Sequence, residues 1–431
     1  MLGAGIYALV GRAAETLGNA IWLAFLAAMV AALLTGLSYA CIGSRYPRAA
    51  GAAFVTQHAL GLPWLSYVIG LAVVMSGLTS MATGSQAVAE NLQVLTGWML
   101  PVKITAIVLV LMIGLLLYRG IRESMWANML CTFVETAGLL FIIAVGLRFW
   151  GGVDYLETPP AKDGSLGEGL ALIVILQGAV LTFFSFIGFE DILNVSEEVK
   201  NPRRNVPMGL IGATLAAALI YMAVAITAVS VVPWRELAQS KAPLMEVAHR
   251  AAPWFANIDH VFVVITIFAI GNTALLNYLM GSRLLYGMSR QGLLPAPLGK
   301  VHLRRQTPHV AIAALFVVVT ILILSGGVKQ LAESTVLLLL FAFTVVNISL
   351  VVLKRRPGEP RGGFEVPVFV PALGALVCLI LLGVRMHKAL SDPAHRTAPL
   401  IALAIVGGAL ALYFVLKPKK AVFNEDTGET P

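Results

Sequence analysis

Apolar runs of about 20 residues, each closed by a short polar or basic stretch, recur along nearly the whole chain. That is the length a helix needs to cross a bilayer. The runs are Asn19–Ser44, Ala59–Ala89, Val102–Tyr118, Ser124–Leu147, Gly169–Phe189 with a short continuation, Val206–Val232, Val261–Ser282, Pro308–Gly327, Thr335–Leu353, Val366–Val384 and Pro399–Leu416. They predict eleven spanning helices. Ahead of them Met1–Val10 is apolar over roughly half a span. The fifth run is broken: Phe183-Phe184-Ser185-Phe186-Ile187-Gly188-Phe189 is followed at once by Glu190 and Asp191, and the polar exit runs from Glu197-Glu198 to Arg203-Arg204. Ionisable groups at membrane depth are rare and usually functional. Interrupted helices survive there only where protein or a water-filled cavity surrounds them. Two readings fit this run. It is half of a substrate site inside the membrane, or a kinked packing helix whose acids already lie at the surface.

Composition settles the class. Of 431 residues, 58% are hydrophobic and 12% charged, with a mean hydropathy of +0.86. Soluble domains carry about 25% charged residues, so this is an integral membrane protein. The net charge of +8 follows from membrane topology rather than a nucleic-acid partner. Lys and Arg gather in alternate short loops: Arg45 and Arg48, Arg119 and Arg122, Lys200 to Arg204, Arg290 to Arg305, Lys354 to Arg361, and the tail from Lys417. The positive-inside rule puts those loops and the C-terminus in the cytoplasm. The first residues lack the basic segment of a removable signal peptide. Cys41, Cys131 and Cys378 sit in apolar runs with no metal or redox spacing. The opposite loop Pro233–Asp259 has helical apolar spacing, which suits an amphipathic cap. Residues 1–416 read as one transmembrane domain and 417–431 as a polar cytoplasmic tail.

Three further stretches are candidates for chemistry. Gly3-Ala4-Gly5 opens an apolar run, where small residues let a ligand, or a second helix, approach the backbone closely. Glu135 is the one ionisable residue in Ser124–Leu147. It is either a proton carrier or a permanently neutral acid bonded to a neighbouring helix. Asn272 and Thr273 suit coordination of a small ion, or hydrogen bonding between helices. No H-E-x-x-H, G-x-S-x-G or P-loop pattern occurs, so no enzyme chemistry, metal or cofactor is expected.

With these residues in place, the chain resembles the amino acid–polyamine–organocation transporters, in particular bacterial amino acid permeases. Four patches carry the likeness: Gly3-Ala4-Gly5-Ile6-Tyr7; Phe184 to Glu190 with Glu197 to Pro207; Asn272-Thr273-Ala274 with Ser282 to Arg290; and Leu340 to Phe343 through Leu353 to Arg356. The resemblance implies an all-α, twelve-helix LeuT-type bundle of two inverted five-helix repeats plus two helices, with helices one and six broken at mid-membrane. It implies that Ala4, Gly5 and Ile6 meet a substrate carboxylate, that carbonyls near Phe184 and Ile187 take the ammonium, that Phe184 acts as a lid and Glu190 as a gate or selectivity residue. Family members have a full first helix. Here Met1 falls almost on the glycine motif, so the first helix is expected to lack its cytoplasmic half, or the start to lie upstream. Some proton-coupled members carry a lysine in helix five. Aligning Glu123-Ser124 with their start puts Glu135 near that position and makes it the expected proton carrier. The expected activity is secondary transport of an amino acid, coupled to H+, from a multi-pass site in the inner cell membrane and surrounded by lipid. A polyamine or organic-cation carrier or exchanger is the alternative, and a non-transporting receptor a third reading.

Overall fold

Backbone amides and carbonyls in hydrocarbon must be satisfied within their own segment, which leaves helices as the form for runs this apolar. The computed structural model describes residues 3–46, 51–97, 100–119, 125–159, 171–191, 199–290, 293–302, 305, 307–416 and 418, and no strand occurs among them. The helices in chain order are α1 (Ala4–Leu17), α2 (Ile21–Arg45), α3 (Ala52–Leu60), α4 (Pro63–Thr96), α5 (Val102–Arg119), α6 (Met125–Gly146), α7 (Leu172–Thr182), α8 (Pro202–Val231), α9 (Trp234–Gln239), α10 (Pro243–Ala251), α11 (Ile258–Arg290), α12 (His309–Ser325), α13 (Val328–Arg355), α14 (Phe369–Ser391) and α15 (Thr397–Leu416). Among the described residues, nine helical stretches of 18 residues or more are apolar enough to cross a membrane, with α1 and α2 counted as one stretch, and α7 and α12 are shorter apolar helices. A helix stands at each of the eleven expected runs, with α1 ahead of them, and α7 and α12 fall short of spanning length. The readings placed on Met1, Glu123-Ser124, Glu197-Glu198 and most of the tail lie outside the described residues.

Local chemistry sets several boundaries. Proline occupies the first turn of α4, α8 and α10, where its missing N–H costs nothing. Gly97 ends α4 in the left-handed conformation. The helices differ in length, from 34 residues in α4 to 18 in α5 and 17 in α12. Buried side chains line α2, α4 and α13 along most of their length. By contrast α5 and α15 turn Ile104, Val108, Met112, Leu400 and Phe414 outward, as a lipid-facing surface does. α1 packs on α7, α2 on α8, α4 on α11 and α5 on α12.

The basic loops share one face. Ser44 Oγ, at the end of α2, donates to the Arg203 carbonyl at the start of α8 at 2.9 Å. Arg45 grips Glu365 through two 2.7 Å bonds, and Lys354 joins them. Glu359 accepts from Tyr46 at 2.6 Å and lies 3.2 Å from His58. Burial opposes the charge on Glu365, but Arg45, Lys354 and the Gly362 amide outweigh it and hold the carboxyl down at about 2. A carboxylate depressed below its unfolded value adds stability above that value, and the gain fades as pH falls toward the folded one. Glu365→Gln should therefore lower the thermal midpoint at pH 7, where the pair adds at most about 3 kcal/mol before solvent screening. The parent and variant midpoints should converge between pH 5 and 2. Parallel midpoints across that window would dismiss the effect.

Candidate functional site

The broken helix α7 and the start of α1 meet within the bundle. α7 stops at Thr182 and tightens into a 3-10 turn over Phe183–Phe186. Ile187 is extended, and Gly188 takes φ +113°, a conformation few residues besides glycine adopt readily. The Gly188 amide donates to Glu190 Oε2 at 2.8 Å. Glu190 is thus buried with its carboxylate folded back onto the broken backbone. α1 begins beside this turn. A Cβ on Gly5 would lie 2.4 Å from Ser185 Cα, and one on Gly3 would lie 2.6 Å from Thr273 Oγ1. Only residues without side chains let α1 cross the turn and α11 this closely.

This crossing brings three separately expected patches together. Ala4, Gly5 and Ile6 occupy the first turn of α1, where backbone N–H groups have no partner in their own helix. Such amides, with the positive end of the helix dipole, suit an anion. Ser185 Oγ is buried beside Gly5 and has no hydrogen-bond partner among the described residues. Thr273 Oγ1 donates to the Ala269 carbonyl at 3.1 Å, which is bonding within α11. Ile6 and Phe184 are buried and Ile187 half-buried. Phe183, Phe186 and Phe189 pack against aromatic neighbours: Phe183 against Phe343 at 6.2 Å, Phe189 against Phe343 at 5.1 Å and Phe186 against Tyr221 at 5.5 Å. Among the described residues, Phe184 alone of the four makes no such ring contact.

Glu135 stands a short way off on α6, buried. The Tyr7 hydroxyl donates to its backbone carbonyl at 3.0 Å, so α1 is pinned to α6 at this residue. Among the described residues no hydrogen bond or ion pair reaches the carboxylate itself.

A cavity of about 250 Å³ reaches from the basic face to Tyr39 and Glu190, with Ser66, Tyr67, Met288 and Tyr413 among its walls. The hydroxyls of Tyr39 and Tyr67 are buried without partners. The opposite face is roofed. α10 turns Leu244, Val247 and Ala248 inward, which bears out the amphipathic cap. α9 lies on α1 so closely that a Cβ on Gly11 would be 2.5 Å from the Leu237 carbonyl. Arg12 on α1 binds Glu90 on α4 at 2.6 Å, and Glu15 on α1 binds Lys329 on α13 at 2.9 Å. Lys388 on α14 donates to Gln177 on α7 at 2.6 Å. Arg12 lies in the third turn of α1, and only the position of α4 shows its partner. Arg385 and Glu333 form a further, buried pair between α14 and α13.

The sequence is similar to known transporters throughout. A family model described as amino acid permease matches residues 1–411. The branched-chain amino acid permease BcaP of Bacillus subtilis (strain 168) is 29% identical, over 89% of this chain and 84% of that protein. The vacuolar cationic amino acid transporter 4 of Arabidopsis thaliana is 33% identical, over 83% of this chain and 61% of that protein. The methylthioribose transporter of B. subtilis is 28% identical, over 99% of this chain and 92% of that protein.

Proposed function

The chain belongs to the amino acid permease family, within the amino acid–polyamine–organocation transporters, and on that premise we propose that it carries an amino acid across the membrane by alternating access. The observation that carries this reading is the crossing of α1 and the turn after α7: the first turn of α1, whose amides lack partners in their own helix, passes closely over the broken turn, beside the buried Ser185 hydroxyl. The amides of Ala4, Gly5 and Ile6 take the substrate carboxylate. The carbonyls around Phe184 and Ile187 take its ammonium. Phe184, free of the aromatic cluster, covers the side chain. Half-helix ends at mid-membrane are suited to this division of charge.

The cavity to the basic face and the roof on the other correspond to an inward-open state, with the basic face and the C-terminus in the cytoplasm of a cell-membrane carrier. Residues 1–416 form the transport unit. The pairing of α1 with α7, α2 with α8, α4 with α11 and α5 with α12 supports two inverted five-helix repeats, with α14 and α15 appended. Because Glu190 already serves the Gly188 amide, a zwitterionic amino acid suits the site better than a polyamine. The exposure of Glu190 to the cavity is what favours the organic-cation alternative.

Uptake by proteoliposomes under an imposed pH gradient tests the reading, with labelled amino acids and putrescine offered in parallel. Amino acid uptake that putrescine does not compete is the expected result. Competition by putrescine would favour the cation carrier, and no flux of any substrate would favour a receptor. Proton coupling is assigned to Glu135, whose carboxylate lies buried where α1 is pinned to α6. Glu135→Gln should abolish the stimulation of uptake by the gradient and leave substrate exchange intact. Unchanged stimulation would remove Glu135 from the mechanism.

A further inference from the structure

A second cavity, of about 520 Å³, lies at the basic face, away from the transport path. Arg203, Arg204, Pro207, Met208, Ile211 and Phe364 line it. Both arginines belong to the first turn of α8 and are exposed. Three basic neighbours on this face are neutralised: Arg45 and Lys354 by Glu365, and Arg356 by Glu359. Among the described residues no carboxylate pairs with Arg203 or Arg204. Directly beyond them α8 exposes Met208, Leu215 and Leu219. These positions are 7 and 11 residues apart from Met208, so they fall on one helix face. From Met208 to Leu219 the stripe descends about 17 Å at 1.5 Å per residue.

We propose that this cavity binds an anionic phospholipid of the adjoining leaflet, its phosphate held by Arg203 and Arg204 and one acyl chain laid along Met208, Leu215 and Leu219. Two unpaired guanidiniums at headgroup level, above a lane of apolar side chains, match the charge and the shape of such a lipid. Guanidinium forks bind phosphate oxygens in pairs. Basic pockets beside membrane helices are the usual receptors for acidic headgroups. The site has a lever on the rest of the protein. The Arg203 carbonyl holds Ser44 of α2, and Phe364 belongs to the α13–α14 loop that also carries Glu365. A lipid seated there ties α2, α8 and that loop together on the side where the transport cavity opens.

The test uses the purified full chain in neutral detergent. Bound lipid is read by native mass spectrometry and by the thermal midpoint, with dioleoyl phosphatidylglycerol, dioleoyl phosphatidylcholine and glycerol 3-phosphate as probes. Phosphatidylglycerol should bind in preference to phosphatidylcholine and raise the midpoint, while glycerol 3-phosphate should do neither. R203Q/R204Q should weaken that preference about thirtyfold, the scale expected for two headgroup contacts at about 1 kcal/mol each. R355Q/R361Q, which removes the same charge from exposed positions on the same face, should leave it within about twofold. M208E keeps both arginines and should also weaken retention, by placing a charge in the acyl lane. The proposal falls if R203Q/R204Q retains the full preference, if both double variants lose it equally, or if glycerol 3-phosphate stabilises as well as the lipid.

Discussion

Gly5→Val abolishes substrate uptake while the protein still inserts and purifies as a monodisperse species: this is the largest effect expected of any single substitution. The reason is geometric. A Cβ at this position meets Ser185 Cα at 2.4 Å, and a backbone atom cannot swing aside as a side chain tip can. α1 and the turn after α7 must separate. Overpacking of this kind commonly costs about 1–3 kcal/mol, too little to prevent insertion of a bundle held by so many helices. The same separation moves the α1 amides away from the carbonyls that face them. A site that needs both groups within hydrogen-bond reach of one small molecule does not tolerate that movement. Substrate binding measured by equilibrium dialysis should vanish together with uptake. Gly5→Ala should show the same loss in weaker form. Gly209→Ala is the comparison, because nothing lies within 4 Å of a Cβ there, and its uptake should match the parent. Normal binding by Gly5→Val would mean that the crossing is only a packing contact.

The second large effect concerns the roof over the site. Arg12→Gln should shift the protein toward a state open on the face opposite the basic loops. The Arg12–Glu90 pair is partly buried, with 29% and 19% of the two side chains exposed. It therefore falls between exposed pairs, worth under about 1 kcal/mol, and buried ones, whose breakage costs about 3–5 kcal/mol. A value near 2 kcal/mol changes the ratio of the two states roughly thirtyfold. The readout is a cysteine at Val10, which is fully buried on α1, in a background with the native cysteines replaced. A membrane-impermeant maleimide added from the roofed side should label Arg12→Gln much faster than the parent. The swapped pair R12E/E90R should slow labelling again, as a charge pair rather than a shape requires. Breaking Glu15–Lys329 should matter less, since Glu15 is 59% exposed. Equal labelling of parent and Arg12→Gln would assign the closure to α9 and α10 alone.

These two predictions divide what the chain discloses in one dimension from what it withholds. Run lengths place a helix at every expected run, with ends up to eight residues off, because bilayer thickness and backbone hydrogen bonding leave few alternatives. The break after Thr182 was also legible, from glycine and two acids set into an apolar run. What could not be read was partnership across the bundle. Thr273 looked like an ion ligand or an inter-helix donor, and in the structure its hydroxyl bonds within its own helix while touching the space that Gly3 leaves empty. Glu190 looked like a gate or selectivity residue, and the contact of its carboxylate with the Gly188 amide at the edge of the cavity was not legible. Arg12 and Glu90 are 78 positions apart, and nothing local to either names the other. Tyr39 and Tyr67 sit unremarked in apolar runs, and become wall residues of the cavity only when α2 and α4 are placed side by side. Periodicity reports which residues face inward. It carries no information on which inward face meets which.

The unequal helix lengths reach beyond the protein's own boundary. α5 and α12, at 18 and 17 residues, extend only about 26–27 Å at 1.5 Å per residue, and they pack against each other on one flank. α4 extends about 51 Å by the same measure and lies inside, where lipid does not meet it. A hydrocarbon layer about 30 Å thick would have to thin by a few ångströms to match the α5–α12 flank, at a fraction of a kcal/mol per ångström. A bilayer that fits this flank is dented there. That dent gives the protein a preferred orientation toward neighbours of similar thickness, and a tendency to gather in the thinner regions of the membrane that houses it.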